Sequence, residues 1–324
     1  MDTYPVIKVT SPSFSKNEAL ILELAELPFR VTLNSMGERF EGESLARYLS
    51  DADAAIVGLE KVNEELLRRC PRLRLIAKYG VGLDNIDLEA CRRLGVKVGW
   101  TPGVNRHSVA EQTLGCLIGL HRNLFFSSRK MCQGLWEKIG GRQLSDITVG
   151  IIGLGNVGKE LVRLLEPMGT TILANDIVDI RSYCDQFGVI PTSKAELFGR
   201  AHAVTLHVPL TSETKNMIDA RSLAQMRTDS FLINTSRGEV VDQKALKHAL
   251  KAGRIAGAAL DVYTSEPPAD MEFLKLPNLV CTPHIAGNSR EAVLAMGRSA
   301  IRHLKGFYAV ATPAEFSDSE RRAA

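Results

Sequence analysis

With 324 residues, 45% of them hydrophobic and 24% charged, the chain is a folded globular protein too long for one comfortable core, so two domains are expected. Lys and Arg outnumber Asp and Glu by only 40 to 37 with no long basic block, which excludes an electrostatic footprint for nucleic acid and points to a small-molecule partner. The six cysteines are scattered, with no CxxC and no Cys/His pairing that would hold a metal, and the start MDTYPVIKVT lacks the pattern of a signal peptide. No apolar run approaches the roughly 20 residues that span a bilayer. Reduced thiols, no membrane association and a cytoplasmic location are the expectation.

Over the first hundred residues, the short runs VIKVT, RVTLN, AAIVGL, LRLIAKY and VKVGW alternate with helical patterns, as in an open parallel α/β sheet. Ser15 with Glu18 fits a capping box opening the helix EALILELAEL, and Asp87 caps LEACRRL, which Gly95 ends. After the break TPGVN, a long helical pattern runs from Ser108 to about Leu124. Its small and apolar residues spread around much of the helix, which predicts burial on more than one side and a link from one lobe to the next. From Ile147 a second alternation follows: TVGIIG, TTILAND, AVTLHV, FLINTS, GAALDVY and LVCTPH are strand-like. Six such strands with helices between them match a complete dinucleotide-binding sheet. Ser193 with Glu196 makes another capping box, and QKALKHALKAG ends at Gly253. The last helix, roughly Arg290 to Tyr308, is expected to pack back on the first lobe, and the tail EFSDSERRAA to fray.

The turn after TVGIIG reads GLGNVG, which sets Gly153, Gly155 and Gly158 in GxGxxG spacing and opens a helix with Asn156 and Val157. The first glycine permits a tight turn, the second lets a pyrophosphate approach the backbone, and the third lets helix and strand pack closely. The motif alone is weak and could be a structural turn. Here the strand precedes it, the helix follows it, and Asp176 ends the next strand about 20 residues on, where an acid holds the ribose hydroxyls. Asp176 followed by Ile177 favours NAD over NADP, although Arg181 stands nearby.

Three residues follow strand ends on what should be one edge of the second sheet: Arg237 after FLINTS, Glu266 after ALDVY and His284 after LVCTP. A guanidinium can bind a carboxylate and a carbonyl with several donors, and a histidine beside a carboxylate suits proton exchange near neutral pH. Each also has a plainer reading: Arg237 pairing with an edge acid, Glu266 opening a turn in TSEPP, His284 as a core histidine. In the first lobe, KYGVGLDN follows the strand LRLIA, and Gly80 with Gly82 could curl N–H groups onto an anion beside Lys78; an ordinary Gly-rich turn is the alternative.

Taken together, KYGVGLDNID, TPGVNRHSVAEQTLG, GIIGLGNVGKE, LHVPLTSET, LINTSRGEVVDQKAL, GAALDVYTSEPP and TPHIAG resemble the D-isomer-specific 2-hydroxyacid dehydrogenase family, over roughly residues 5 to 305. The resemblance implies an α/β fold of two Rossmann-like domains. One is a discontinuous flavodoxin-like substrate domain of residues 1–103 plus 289–324, the other a doubly wound NAD-binding domain of residues 104–288. It implies NAD as cofactor, Arg237 on the substrate carboxylate and carbonyl, His284 as acid/base and Glu266 as its support. Lys78, Val81, Gly82 and Asn105 then belong to the substrate site. Val208, Pro209, Thr235, Ser236 and Asp261 belong to the cofactor site, with Asp261 near the nicotinamide carboxamide. His207 goes with the adenosine loop and not with catalysis. Family members are usually homodimers joined by the helix region after Val104. Lys78 stands where phosphoglycerate dehydrogenases often have arginine, which leaves open which hydroxy acid is used, and no C-terminal regulatory domain for serine feedback is expected. The competing readings are a dinucleotide-sensing corepressor of the same fold and a formate- or phosphite-type dehydrogenase.

Overall fold

Parallel strand pairing organises both halves of the chain in the computed structural model, which describes residues 4–309. Two units result, one running to Asn105 and resuming at Arg290, the other Arg106–Ser289. The first holds β1 (Val6–Val9), β2 (Arg30–Thr32), β3 (Ala54–Val57), β4 (Leu75–Lys78) and β5 (Lys97–Gly99) in the order β2-β1-β3-β4-β5. Its strands alternate between two cores, as an all-parallel sheet covered on both faces requires. Ala54 and Ile56 join Phe14, Leu20 and Leu24 on one side. Ala55 and Val57 join Leu45, Leu49 and Leu67 on the other. The helix Arg290–Tyr308 completes the first of these cores with Met296, Ala300, Ile301 and Leu304. Gly297 makes that approach possible, since a Cβ there would lie 2.2 Å from Leu20 Cδ1.

Helix starts in this unit follow side-chain acceptors, with one correction. Asp87 accepts from Ala90 N at 2.8 Å, and Gly95 ends that helix with φ +72°. The Ser15/Glu18 capping box does not form. Pro12, pre-set for a first helical position, instead starts a short helix Pro12–Ser15 capped by Ser11, and the next helix Glu18–Ala25 is capped by Asn17. Ser15 Oγ is turned to Asn34 N, 3.0 Å away.

The second unit contains β6 (Thr148–Ile152), β7 (Thr171–Asn175), β8 (Ile190–Pro191), β9 (Ala203–Leu206), β10 (Phe231–Asn234), β11 (Gly257–Leu260) and β12 (Leu279–Cys281). Their order is β12-β11-β10-β9-β6-β7-β8, all parallel. Six strands were expected; the seventh, β8, is two exposed residues at the sheet edge, too short and too wet to mark itself by an apolar run. The helix Arg106–His121 is buried through Val109, Ala110, Cys116, Leu117 and Leu120. It stops before the expected Leu124 because Asn123 turns left-handed at φ +55°, a conformation Asn tolerates, and a separate helix Leu124–Cys132 follows. Ser193 caps its helix by accepting from Glu196 N, but no box closes: Glu196 bonds Thr192 Oγ1 and Arg200 instead. Among the described residues no helix is long and apolar enough to cross a membrane. The tail EFSDSERRAA lies outside the described residues.

Leu304 is fully buried against the first unit's sheet. Leu304→Ala should cost about 2–5 kcal/mol in a chemical denaturation curve, the range for a buried leucine left as a cavity. A loss well under 1 kcal/mol would mean that the C-terminal helix is not part of that core.

Candidate active site

Strand order in the second unit reverses between β6 and β9, and the glycine-rich turn sits there, at the kind of switch point where open α/β sheets take ligands. Gly153, at φ +95°, is pressed against the residue that follows β9: a Cβ would lie 2.6 Å from the His207 carbonyl oxygen. Gly158 lets the helix Asn156–Leu165 close on the turn, since a Cβ would be 2.2 Å from the Gly153 oxygen. A Cβ added at Gly155 would meet nothing within 4 Å, so the turn is open on that side. The helix has no side-chain cap, which leaves its first N–H groups and positive dipole end for an anion. Asp176 Oδ2 accepts from Leu154 N at 2.6 Å, tying the end of β7 to this turn. Val208 and Pro209 begin the loop after β9. These residues fit a dinucleotide.

Arg237, Glu266 and His284 follow β10, β11 and β12 in turn. His284 Nδ1 and Glu266 Oε2 are 2.7 Å apart, and Glu266 Oε1 accepts from Tyr263 N at 3.1 Å. The Glu266 hydrogen bond raises the His284 pKa above its ordinary value, against burial, which alone would lower it. Burial would push Glu266 up, but the hydrogen bond and charge of His284, the Tyr263 N–H and the Arg237 charge together hold it down. Because Nδ1 is taken, Nε2 is the position from which the ring can exchange a proton. Arg237 is half-buried, with Nη1 donating to Ser236 O at 2.7 Å. Its turn is built by buried Asn234, whose Oδ1 accepts from Ser236 N and Oγ while Nδ2 donates to Arg237 O at 2.8 Å. Ser236 and Thr235, whose hydroxyl meets Thr113 Oγ1 at 3.0 Å, thus have their side chains satisfied internally. Desolvation holds His207 neutral, its pKa pushed down to about 3.

Asp261 is only 1% exposed, and its carboxylate takes four donors. Oδ1 accepts from Gln112 Nε2, Thr282 Oγ1 and Ile285 N at 3.0, 2.6 and 2.9 Å, and Oδ2 from Ala286 N at 2.8 Å. Two of these are the amides right after His284, whose own φ of +55° is left-handed. A non-glycine residue stays in that region only where its surroundings impose it, and here the buried carboxylate does so.

In the first unit, Gly80 adopts φ +141° after β4, and among the described residues the N–H groups of Val81 and Gly82 have no protein acceptor. Trp100 Nε1 steadies the turn by donating to Val81 O at 2.7 Å. Lys78, expected at the substrate, is only 3% exposed; its Nζ lies 2.5 Å from Gly58 O and 2.7 Å from Asn85 Oδ1. It ties the loops after β3 and β4 together. Asn105 is half-buried at the end of its unit.

Residues 114–286 match the family model described as D-isomer specific 2-hydroxyacid dehydrogenase, NAD binding domain. The chain belongs to the D-isomer-specific 2-hydroxyacid dehydrogenase family. It is 33% identical over 303 residues to a D-3-phosphoglycerate dehydrogenase of Methanocaldococcus jannaschii, covering 92% of this chain and 56% of that protein. It is 37% identical over 274 residues to a glyoxylate reductase of Thermofilum pendens, covering 81% of this chain and 80% of that one. The solved D-lactate dehydrogenase of Aquifex aeolicus, complexed with NAD and lactic acid, superposes with a TM-score of 0.82 at 27% identity and covers 96% of both chains. The chain spans about half the length of the phosphoglycerate dehydrogenases it matches, 56% and 49% for the two archaeal ones.

Several residues that shape this dehydrogenase-family site escape a reading of the sequence. Gly238 is one: a Cβ there would lie 2.0 Å from the Tyr263 carbonyl carbon, so only glycine lets the Arg237 turn meet the loop that carries Glu266. Gln112 and Asn234 are others, since their partners are remote or backbone. Asp261 did carry a signal, because an acid ending the apolar run GAAL must be buried and must find donors.

A raised histidine pKa stabilises the fold below the unfolded value, and that contribution is lost as pH rises through the folded one. In a nuclear magnetic resonance titration the His284 ring should therefore change charge above 6.5. Glu266→Gln should move its midpoint down; an unmoved midpoint would mean that the carboxylate does not set it.

Proposed function

We propose that the protein is an NAD(H)-dependent oxidoreductase that interconverts a small D-2-hydroxy acid and its 2-oxo acid. The observation that carries this reading is the His284–Glu266 contact of 2.7 Å, on the sheet edge that also bears Arg237 and the Gly153–Gly158 turn. When bound, the nicotinamide supplies hydride to the carbonyl carbon or accepts it from the alcohol. The N–H groups of Asn156, Val157 and Gly158 would hold its pyrophosphate, and Asp176 would hold the ribose hydroxyls.

In the reducing direction Arg237 binds the substrate carboxylate and carbonyl and stabilises the oxygen as it turns negative. His284, kept protonated by Glu266, gives that oxygen a proton from Nε2; oxidation runs the same transfer backwards. Asp261 acts through the 282–286 turn, aiming the ring. In the first unit the amides of Val81 and Gly82 are the groups suited to an anion, and Lys78 holds their loop. The unit containing the glycine turn is then the cofactor domain and the other the substrate domain. We place the protein in the cytoplasm, where its six free thiols stay reduced.

A homodimer is part of the same proposal. The helix Leu124–Cys132 buries none of its residues, and Leu124, Met131, Ile139 and Trp136, the last 75% exposed, leave apolar surface along this segment.

A nicotinamide absorbance assay over glyoxylate, hydroxypyruvate, phosphohydroxypyruvate, pyruvate and branched 2-oxo acids tests the activity; no turnover on any of them would sink it. His284→Ala should lower kcat by about 10²–10⁴-fold while NADH still binds. Arg237→Lys should damage both KM and kcat, because the fork of donors is lost. In the reducing direction kcat/KM should fall as pH rises past the raised His284 pKa, and in the oxidising direction it should rise. Trp136→Glu should halve the mass seen by light scattering, whereas an unchanged mass would place the dimer contact elsewhere.

A further inference from the structure

The loop after β7 reads DIVDIR, an acid suited to a ribose 2′-hydroxyl and an arginine suited to a 2′-phosphate within one turn of chain. Composition therefore does not say which dinucleotide the loop selects, and geometry does. Asp176 is fixed by its bonds from Leu154 N at 2.6 Å and from Val178 N at 3.2 Å. Ile177 and Val178 extend into solvent and bring no charge. Arg181 has its fork closed on Asp179: Nε lies 3.0 and 3.2 Å from the two carboxylate oxygens, and Nη2 lies 2.7 Å from Oδ2. The Arg181 backbone N–H also donates to Asp179 Oδ1, at 3.0 Å. Side chain and backbone of the arginine are thus held by one acid, at the start of the helix Arg181–Phe187. The hydrogen bonds from Arg181 pull the Asp179 pKa down to about 2, so Asp179 stays ionised at any pH where the protein would work. Lys159, on the helix after the glycine turn, has its ammonium 5.0 Å from the centroid of the Tyr183 ring.

We infer that Asp179 is a second specificity-determining residue, acting together with Asp176: it occupies the guanidinium that would otherwise grip a 2′-phosphate, and so reinforces the selection of NAD(H). This rests on the reading that a dinucleotide binds the Gly153–Gly158 turn. With Arg181 neutralised, Asp176 leaves the loop net negative where a 2′-phosphate would enter, and the like charges repel. The loop therefore holds a latent 2′-phosphate subsite. An arginine fork matches phosphate oxygens bidentately, and two carboxylates stand against that use of it. Because the Asp179–Arg181 pair is exposed, it is individually weak, and Asp176 must also go before the subsite shows itself.

Direct binding to the full chain, followed by nicotinamide fluorescence, tests this without turnover. The unaltered protein should bind NADH at least ~10-fold more tightly than NADPH, as expected where an acid meets the ribose. Asp179→Asn keeps an oxygen for the Arg181 N–H, so the helix start survives, and should shift the NADPH to NADH affinity ratio by only ~3-fold, as for an exposed pair. Asp176→Ser with Asp179→Asn should shift it ~100-fold, well beyond Asp176→Ser alone, since a charge-assisted fork then faces the phosphate; an equal shift in Asp176→Ser alone overturns the inference. Adding Arg181→Ala should remove most of that gain. A gain that survives Arg181→Ala, or that is lost on Lys159→Ala instead, overturns the inference. Thermal melts identify any variant that has merely unfolded, and Asp179→Ser then replaces Asp179→Asn. If the unaltered protein binds neither nucleotide, the reading of the glycine turn fails and takes this inference with it.

Discussion

The His284 end of the site depends on a single buried charge. Asp261 sits at the end of β11 with almost no access to water, where an uncompensated carboxylate would be strongly destabilising. It is tolerated because four donors converge on it, and two of them are amides that can reach it only if the chain turns sharply after His284. The requirement to satisfy Asp261 thus dictates the left-handed backbone at His284. That backbone aims the ring at Glu266, at 2.7 Å. The order of cause runs from a desolvated acid, to a turn, to a histidine with one nitrogen occupied and the other available.

The sheet makes that arrangement reachable. All seven strands of the second unit run parallel, so every strand delivers its next residue to the same edge. The glycine turn after β6, the Arg237 turn after β10, the Glu266 loop after β11 and the His284 turn after β12 share that edge because the strands share a direction. Close backbone contacts then do what side chains could not. Gly238 lets one loop touch the next, and Gly153 lets the glycine-rich turn lie against the segment after β9.

Much of this was legible in the sequence, and the gaps have physical causes. Local patterns that do their work locally read correctly: the Asp87 cap, the left-handed Gly95 and the GxGxxG turn each depend on residues within a few positions. Where two local solutions compete, the pattern misled. Ser15 and Glu18 have the spacing of a capping box, but Pro12 had already started a helix and Ser15 was claimed by Asn34. Lys78 borders a glycine turn, and nothing in its own stretch of sequence reveals that Gly58 O meets its ammonium.

The sequence by itself determined the alternation of strand and helix, the place of the glycine-rich turn, and the position of Arg237, Glu266 and His284 after three strand ends. Periodicity and turn chemistry act over a few residues, and the chain order of strands carries over to the order of the loops that follow them. Only the tertiary structure decided which of the charged groups are spent inside the fold. Asp261 is satisfied by four donors, Gln112 among them, and Lys78 is held by Gly58 O and Asn85 although both could have faced a ligand. Burial and pairing depend on which atoms the packed chain brings within 3 Å, and for buried groups those neighbours are remote in sequence.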